Sequence, residues 1–313
     1  MIDYVFLGTG GGMPMTFRAL SSLMLMYNGR KILIDCGEGT QVQMRKYHTG
    51  FRDVDIILVT HTHGDHIFGI PGLLSTMGNS DRTEKVYIVG PKGIKPVISG
   101  LLYSLKYLPF EVETIEVEEG FYLKQGKDSL EITEEKTELW VEPFNLKHRI
   151  ECIGFNIELA RKPKFDPVKA KTLPIPVVYW KHLQNGEIVD FEGRTYYPEQ
   201  VLGEPRKGIK VTFIGDTGYF NELSDHAKGA DLIVCEGTYG DDEDIDKAKK
   251  NRHMTFREAA RVAKDAEADD LIITHFSPSM GNPVEYRSNA TSVFNKSFVA
   301  YDGLKGTINF KEE

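Results

Sequence analysis

Short runs of branched apolar residues recur along the chain and stop at Gly, Asp or His. Residues 5–8, 32–35, 56–60 and 86–90 are the clearest cases. Four or five apolar residues bounded in this way predict buried strands, since a helix of that length could not bury a stripe of its own. Residues 39–47, 95–105 and 255–266 are helix-like instead, and Thr255 with Glu258 writes a capping box at the start of the last. Strands and helices therefore alternate in both halves, which predicts layered α/β packing. The acidic segment 111–142, opened by Glu111, Glu113, Glu116, Glu118 and Glu119, alternates in character and predicts exposed antiparallel strands with a solvated face.

A faint internal similarity accompanies this pattern. Val5-Phe6-Leu7-Gly8-Thr9-Gly10 is similar to Phe213-Ile214-Gly215-Asp216-Thr217-Gly218, and residues 55–61 are similar to residues 270–275. Two related halves would account for it, as would the common habit of ending apolar strands in glycine. Either way, His61 and His275 each follow an apolar run and a Thr, which predicts that both sit just beyond the C-terminal end of a buried strand.

Composition narrows the class. A chain of 313 residues with 41% hydrophobic and 27% charged residues can bury a sizeable core. Three widely spaced cysteines, Cys36, Cys152 and Cys235, make neither a disulfide framework nor a cysteine-rich metal site, and point to a reducing compartment. No apolar run approaches the roughly 18 residues of a membrane span, and the first residues lack a basic leader, so the expectation is a cytoplasmic protein with no membrane partner. The net charge of −8 repels nucleic acid at long range. Any RNA would have to be captured by a local basic patch.

Residues 161–184 supply such a patch. Arg161, Lys162, Lys164, Lys169, Lys171 and Lys181 stand against Asp166 alone, among four prolines, with Tyr179 and Trp180 as possible stacking surfaces. This is the make-up of a nucleic-acid contact arm, the plainer alternative being a solvated insertion.

The most specific signal is His61-Thr62-His63-Gly64-Asp65-His66. Imidazole nitrogen and carboxylate oxygen are good ligands for zinc, and a turn after a buried strand can aim closely spaced side chains at one point. This segment carries intact the H-x-H-x-D-H signature of the metallo-β-lactamase superfamily, which the chain resembles over most of its length. Three further positions match that family's ligands: His148 in Asn145-Leu146-Lys147-His148, Asp216 in Ile214-Gly215-Asp216-Thr217 and His275 in Thr274-His275-Phe276-Ser277. Taken singly, His148 could be a surface histidine and Asp216 a turn-former. The resemblance implies a four-layer αβ/βα sandwich formed by residues 1–313 as a single domain, with the basic arm inserted. It implies two zinc ions per subunit, manganese or iron being possible: His61, His63 and His148 on one, Asp65, His66 and His275 on the other, and Asp216 between them.

Within the superfamily the chain resembles ribonuclease Z, which trims the 3′ end of precursor tRNA. Residues 6–10 with Pro14, Arg18, Ser21 and Ser22 are similar to its first segment, and Asp35-Cys36-Gly37-Glu38-Gly39-Thr40-Gln41 and Gly90-Pro91-Lys92-Gly93 to later ones. Glu236-Gly237-Thr238-Tyr239 and His253-Met254-Thr255 resemble its acid–histidine pair. The implied scheme has Asp65 take a proton from the attacking water while His253, oriented by Glu236, protonates the departing 3′ oxygen; a helix-start residue is the alternative for His253. The arm would grip the folded RNA away from the active site, and a homodimer is expected.

The chain departs from that pattern in three places. Thr16 and Ala19 flank Arg18 where Lys and Asn are common, the arm has Leu173-Pro174-Ile175-Pro176-Val177-Val178 where a Gly-Pro-rich tip is usual, and no Arg follows His275-Phe276-Ser277 closely. The runner-up is a small-molecule phosphodiesterase of the same fold, of the cyclic-nucleotide type. A non-catalytic RNA-binding protein comes next. Thioester or β-lactam hydrolysis suits Glu236 and His253 less well, and a redox di-iron centre is disfavoured because His63 is retained.

Overall fold

The computed structural model describes residues 1–311. The chain divides into two compact units, one made of Met1–Leu159 and Ile209–Asn309 and the other built on Ala160–Gly208.

In the larger unit the apolar runs form two sheets. One has the spatial order Lys305–Ile308, Ile2–Gly8, Ser22–Tyr27, Arg30–Ile34, Val54–Leu58, Val86–Gly90 and Val112–Glu116. Its last four strands are parallel to one another. Parallel strands need crossovers, and helices Thr40–Lys46, Ile70–Gly78 and Ile94–Leu102 provide them. Met44, Leu73, Leu74, Met77, Ile94 and Ile98 of those helices close over Val5, Leu7, Leu33, Ile57, Val86 and Ile88 of the sheet. The strand Val54–Leu58 is buried at every position, as a central parallel strand covered on both faces must be.

The other sheet has the order Ser297–Val299, Asp270–Thr274, Leu232–Glu236, Arg206–Ile214, Ile153–Arg161, Leu139–Asn145, Phe121–Gln125 and Leu130–Thr133. Here the first four strands are parallel. Helix Phe256–Asp265 covers this part, with the capping box of Thr255 and Glu258 formed as its sequence predicts. The two sheets meet through the Leu130 amide, which donates to Asp55 Oδ2 at 3.0 Å, and the Ile153 amide, which donates to the Thr60 carbonyl at 2.9 Å. Helices, sheet, sheet and helices make the four layers that the resemblance implies.

One expectation needs correction. Within 111–142 the strands Phe121–Gln125, Leu130–Thr133 and Leu139–Asn145 are antiparallel, but Val112–Glu116 runs parallel to Val86–Gly90 and is half-buried along its length. Its glutamates conceal a strand that extends a parallel sheet, because Thr114 and Ile115 between them continue the β pattern.

The second unit has its own small core of Ala170, Ile175, Leu183, Val189, Tyr196 and Val201. Asp166 caps helix Pro167–Lys171 by accepting from the Val168 and Lys169 amides, and strands Val189–Phe191 and Arg194–Tyr196 form a hairpin. The boundary expected at residue 184 thus falls inside a folded unit that continues to Gly208. Tyr179 and Trp180 are not free stacking surfaces: Tyr179 packs on Phe191 and Trp180 on Phe165, both rings against the core. So small a unit has few apolar groups to spare, and its aromatic residues go inward.

Asp55 anchors the strand that leads to His61. Fully buried, it accepts from Arg30 Nε at 2.6 Å and from Arg82 Nη2 at 2.9 Å, and Arg82 is fully buried as well. Removing one partner of a buried ion pair strands the other's charge. Asp55→Ala is therefore expected to cost about 3–5 kcal/mol, read as a fall in the urea unfolding midpoint; a change below about 1 kcal/mol would contradict this account.

Candidate metal centre

The residues singled out in the sequence come together at the C-terminal ends of parallel strands, where open α/β sheets place their ligand sites. His61, His63, Asp65 and His66 follow Val54–Leu58, Asp216 follows Arg206–Ile214, Glu236 ends Leu232–Glu236 and His275 follows Asp270–Thr274. His148 lies between the antiparallel strands Leu139–Asn145 and Ile153–Arg161. Six of the chain's nine histidines meet here.

Two donor sets form. His61, His63, His148 and Asp216 present atoms that all lie within 4.8 Å of one another, and so do Asp65, His66 and His275. His61 Nε2 lies 2.9 Å from His63 Nδ1, His148 Nε2 lies 3.3 Å from the same atom, and His66 Nε2 lies 3.2 Å from His275 Nε2. Asp216 reaches both sets, with Oδ2 3.6 Å from His61 Nε2 and Oδ1 3.2 Å from His275 Nε2. Yet among the described residues the buried Asp216 Oδ1 has no hydrogen-bond partner. Buried carboxylate oxygens are costly to leave unpaired, and cations between these atoms would relieve that cost. The residues present fit a metal centre.

The outward nitrogens are held by a surrounding shell. His66 Nδ1 meets Asp35 Oδ2 at 2.7 Å, and Asp35 is itself fixed by the Thr60 amide at 2.9 Å and the Thr60 hydroxyl. His61 Nδ1 meets Thr60 Oγ1 at 3.0 Å, His275 Nδ1 meets Thr238 Oγ1 at 3.1 Å, and His148 Nδ1 donates to the Arg252 carbonyl at 3.1 Å. Each bond turns the other ring nitrogen toward the centre. Such partners set the tautomer and raise ligand basicity.

Charge follows the geometry. Burial would favour a neutral His66, but Asp35 and Asp216 outweigh it and hold its proton affinity well above the ordinary value. Burial and the neighbouring His66 push His61 the other way. At Asp65 burial opposes the charge, while hydrogen bonds from His275 and His66 keep the carboxyl well below the usual carboxylate range. Two anionic centres among imidazoles make the pocket attractive to cations.

The acid–histidine pair is also assembled. Glu236 is fully buried, Oε1 accepting from the Thr217 amide at 3.0 Å and Oε2 from the Thr238 amide at 2.9 Å and its hydroxyl at 2.8 Å. His253 Nδ1 meets Glu236 Oε1 at 2.9 Å. Burial alone would depress His253, but the Glu236 charge and hydrogen bond prevail and raise it to about 9. His253 also lines a cavity of about 320 Å³ shared with His63, Asp65, Asp216 and His275.

Gly11 and Gly12 close that cavity from the first loop. A Cβ on Gly11 would come within 2.4 Å of the His275 ring, and Gly12, at φ 79°, donates its amide to Asp65 Oδ2 at 2.6 Å. Arg18 is buried in a clasp rather than offered to solvent. Its Nη2 donates to the Met280 and Gly281 carbonyls at 3.0 and 3.2 Å, and its guanidinium lies over the Phe276 ring.

Several of these contributors carry no assigned chemistry in the sequence. Asp35 lies in a quoted motif, but nothing near it in the sequence shows that it faces His66. Thr60 and Thr238 were not legible as supports. The similarity of Thr60-His61 to Thr274-His275 suggests equal roles for the two threonines, whereas His275 is held by Thr238 from a different strand end. Of the arm cations, Lys162, Lys164, Lys169, Lys171 and Lys181 are exposed in the second unit, and Lys169 Nζ also donates to the Leu202 carbonyl at 2.9 Å. Arg161 is half-buried, bonded to the Lys311 carbonyl at 2.7 Å and lying over the Phe310 ring.

Asp35 touches no part of the cavity, so its replacement tests the supporting shell alone. Asp35→Ala is expected to weaken metal binding about 10- to 100-fold, measured by competition with a chromogenic chelator. An affinity equal to that of the wild type would show that His66 needs no orienting carboxylate.

Comparison with known proteins identifies the family and the fold. The family model described as Beta-lactamase superfamily domain matches residues 200–276, and that described as Anti-Pycsar protein Apyc1 matches residues 2–135. A ribonuclease Z of Alkaliphilus oremlandii is 48% identical over 99% of this chain and 100% of its own length, and one of Clostridium perfringens is 46% identical over 100% of both. Among solved structures, human tRNase Z, short form, is 27% identical, covers 98% of this chain and 99% of its own and superposes with a TM-score of 0.68. The metallo-β-lactamase fold protein YhfI of Bacillus subtilis, at 18% identity with 98% and 100% coverage and a TM-score of 0.66, shares the fold. The chain belongs to the ribonuclease Z family, within the metallo-β-lactamase superfamily.

Proposed function

We propose that the protein is a zinc-dependent endoribonuclease that cuts precursor tRNA at its 3′ end and releases the trailer. The observation that carries this reading is the Glu236–His253 pair: a proton held on an imidazole beside a metal-ligand cluster suits a reaction with a poor, alkoxide leaving group. Family membership supports the substrate.

Two cations would be held as the resemblance implies, one by His61, His63 and His148, the other by Asp65, His66 and His275, with Asp216 common to both. Zinc suits the imidazole-rich donors, and manganese or iron would also be accepted. Bound there, the cations would polarise the scissile phosphate and favour hydroxide over water. Asp65, its Oδ2 held by the Gly12 amide, accepts the proton of the attacking water. The water oxygen bonds to phosphorus and the bond from phosphorus to the 3′ oxygen breaks. His253 gives its proton to that oxygen. The products are tRNA with a 3′ hydroxyl and a trailer with a 5′ phosphate. Lys162, Lys164, Lys169, Lys171 and Lys181 of the second unit supply phosphate contacts that carry no base information, as recognition of a folded RNA allows; Arg161 contributes less, being engaged by its own chain. The expected homodimer and cytoplasmic location belong to the same reading, the latter supported by three buried, unpaired cysteines.

The reading is tested by incubating purified protein, loaded with zinc or manganese, with a trailer-bearing precursor tRNA and mapping the new 3′ end. A single cut at the trailer junction is expected, lost in Asp65→Ala; absence of cleavage by metal-loaded protein would defeat the reading.

His253 gives a second expectation. As the acid it must be protonated, so the rate falls as pH rises through its pKa, and Glu236→Gln is expected to move that falling limb to lower pH. His253→Ala is expected to lose about 10²- to 10⁴-fold on RNA but far less on a bis(p-nitrophenyl) phosphodiester, whose leaving group needs no proton. Equal losses on the two substrates would remove His253 from the role of acid.

A further inference from the structure

A second groove, of about 680 Å³, adjoins the metal cavity. Residues 145–152 line it together with Gly218, Tyr219 and Arg252, and His148 and Arg149 line both spaces. Its charge is one-sided. Lys147, Arg149 and Arg252 are opposed in the groove by Glu151 alone, whereas Gly11, Gly12, Ser277 and Pro278 on the lining of the metal cavity are uncharged. In a chain of net charge −8 this is a local excess of the sign a polyanion requires.

The three cations differ in what they are free to do. Arg252, at φ 58°, turns its guanidinium onto the His148 carbonyl while its own carbonyl accepts from His148 Nδ1; it holds the ligand in place. Arg149 is exposed but tethered, since Nη2 donates to Asn251 Oδ1 at 2.8 Å, and the Asn251 amide donates to the Tyr239 hydroxyl at 2.7 Å. A guanidinium carries five N–H donors, so one anchored nitrogen leaves others available with less entropy to lose. The Lys147 ammonium lies 4.3 Å from the centre of the Phe220 ring, with Glu222 no nearer than 3.9 Å and both side chains exposed. Such an ion pair is weak and readily exchanged for a phosphate.

The reaction proposed above gives the groove a direction. His253 protonates the 3′ oxygen of the nucleotide that precedes the scissile phosphate, and His253 follows Asn251 and Arg252 in the chain, on the side where the groove begins. We propose that the groove receives the RNA strand on the 5′ side of the cut, with Arg149 and Lys147 on its first phosphates. This assignment rests on the endoribonuclease reading and adds to it which strand lies where. The trailer, which keeps the scissile phosphate, would leave past the uncharged wall.

The test uses precursor tRNAs in which a single methylphosphonate removes one backbone charge at a chosen position. With the wild-type protein, neutralising the first or second phosphate on the 5′ side of the cut is expected to lower kcat/KM about tenfold, the size of one lost charge-assisted hydrogen bond. In the Lys147→Ala, Arg149→Gln double variant the same substitution should cost nothing more, because the contact is already gone. Neutralising the first phosphate on the 3′ side should multiply with the loss from the variant. Lys147→Arg, which keeps the charge, should respond as the wild type does. Coupling to the 3′ phosphate, or to neither, overturns the assignment while leaving cleavage itself intact. Failure of the wild type to cut any precursor tRNA removes the endoribonuclease reading, and this assignment with it.

Discussion

Five imidazoles and two carboxylates turned toward one small space are the constraint on which the rest of this molecule depends. Among the described residues the buried Asp216 Oδ1 has no hydrogen-bond partner, although the imidazoles of His61, His63, His148, His66 and His275 converge around the two carboxylates. The outward nitrogens of His61, His66, His148 and His275 are fixed by Thr60, Asp35, Arg252 and Thr238, which aims the inward ones at that space. Cations held between these donors would give the buried carboxylate oxygen its partner and use the imidazoles as ligands.

The fold supplies the rigidity such a site needs. Parallel strands buried on both faces cannot shift by a residue without mispacking the side chains fitted to the layers on either side, so whatever follows their C-terminal ends is held in place. His61 to His66 follow one such strand, Asp216, Glu236 and His275 belong to three adjacent ones, and the sheets are bound at Asp55 and Thr60. The acid–histidine pair uses the same support. Glu236 accepts three hydrogen bonds from Thr217 and Thr238 besides its contact with His253, so its charge is both stabilised and aimed.

Much of this was legible in the sequence because it is local. The H-x-H-x-D-H segment, the strand preceding it and the capping box at Thr255 lie within a few residues of one another, and short-range pattern suffices to read them. His148, Asp216 and His275 needed the resemblance, since nothing in a lone His or Asp says what it faces across two sheets. Beyond reach were the threonines and Asp35, whose chemistry comes from distant partners: Thr238 supports His275 across 37 residues, and Asp35 supports His66 across 31. In the segment 111–142 charge concealed pairing, because a half-buried parallel strand at a sheet edge can carry glutamates on its open side. The aromatic residues of the arm misled for the opposite reason. Tyr179 and Trp180 look like stacking surfaces in a basic stretch, but the small unit around them needs those rings for its own core.

Substrate choice then separates from chemistry. The metal cavity recognises what every nucleotide has, a phosphodiester, and the discrimination that a processing enzyme needs must come from surfaces beyond it. On the reading proposed above, the basic stretch of the second unit and the cation-lined groove beside His148 would be two such surfaces, each in a chain of net charge −8. The central claim, that the seven converging side chains exist to hold two metal ions, is tested most directly by equilibrium dialysis of the purified chain against zinc, followed by elemental analysis. About two tightly held zinc ions per chain are expected, with Asp216→Ala weakening both together because its carboxylate serves both donor sets. A wild-type chain that retains no metal, or an Asp216→Ala chain that binds two as tightly as before, would contradict the account.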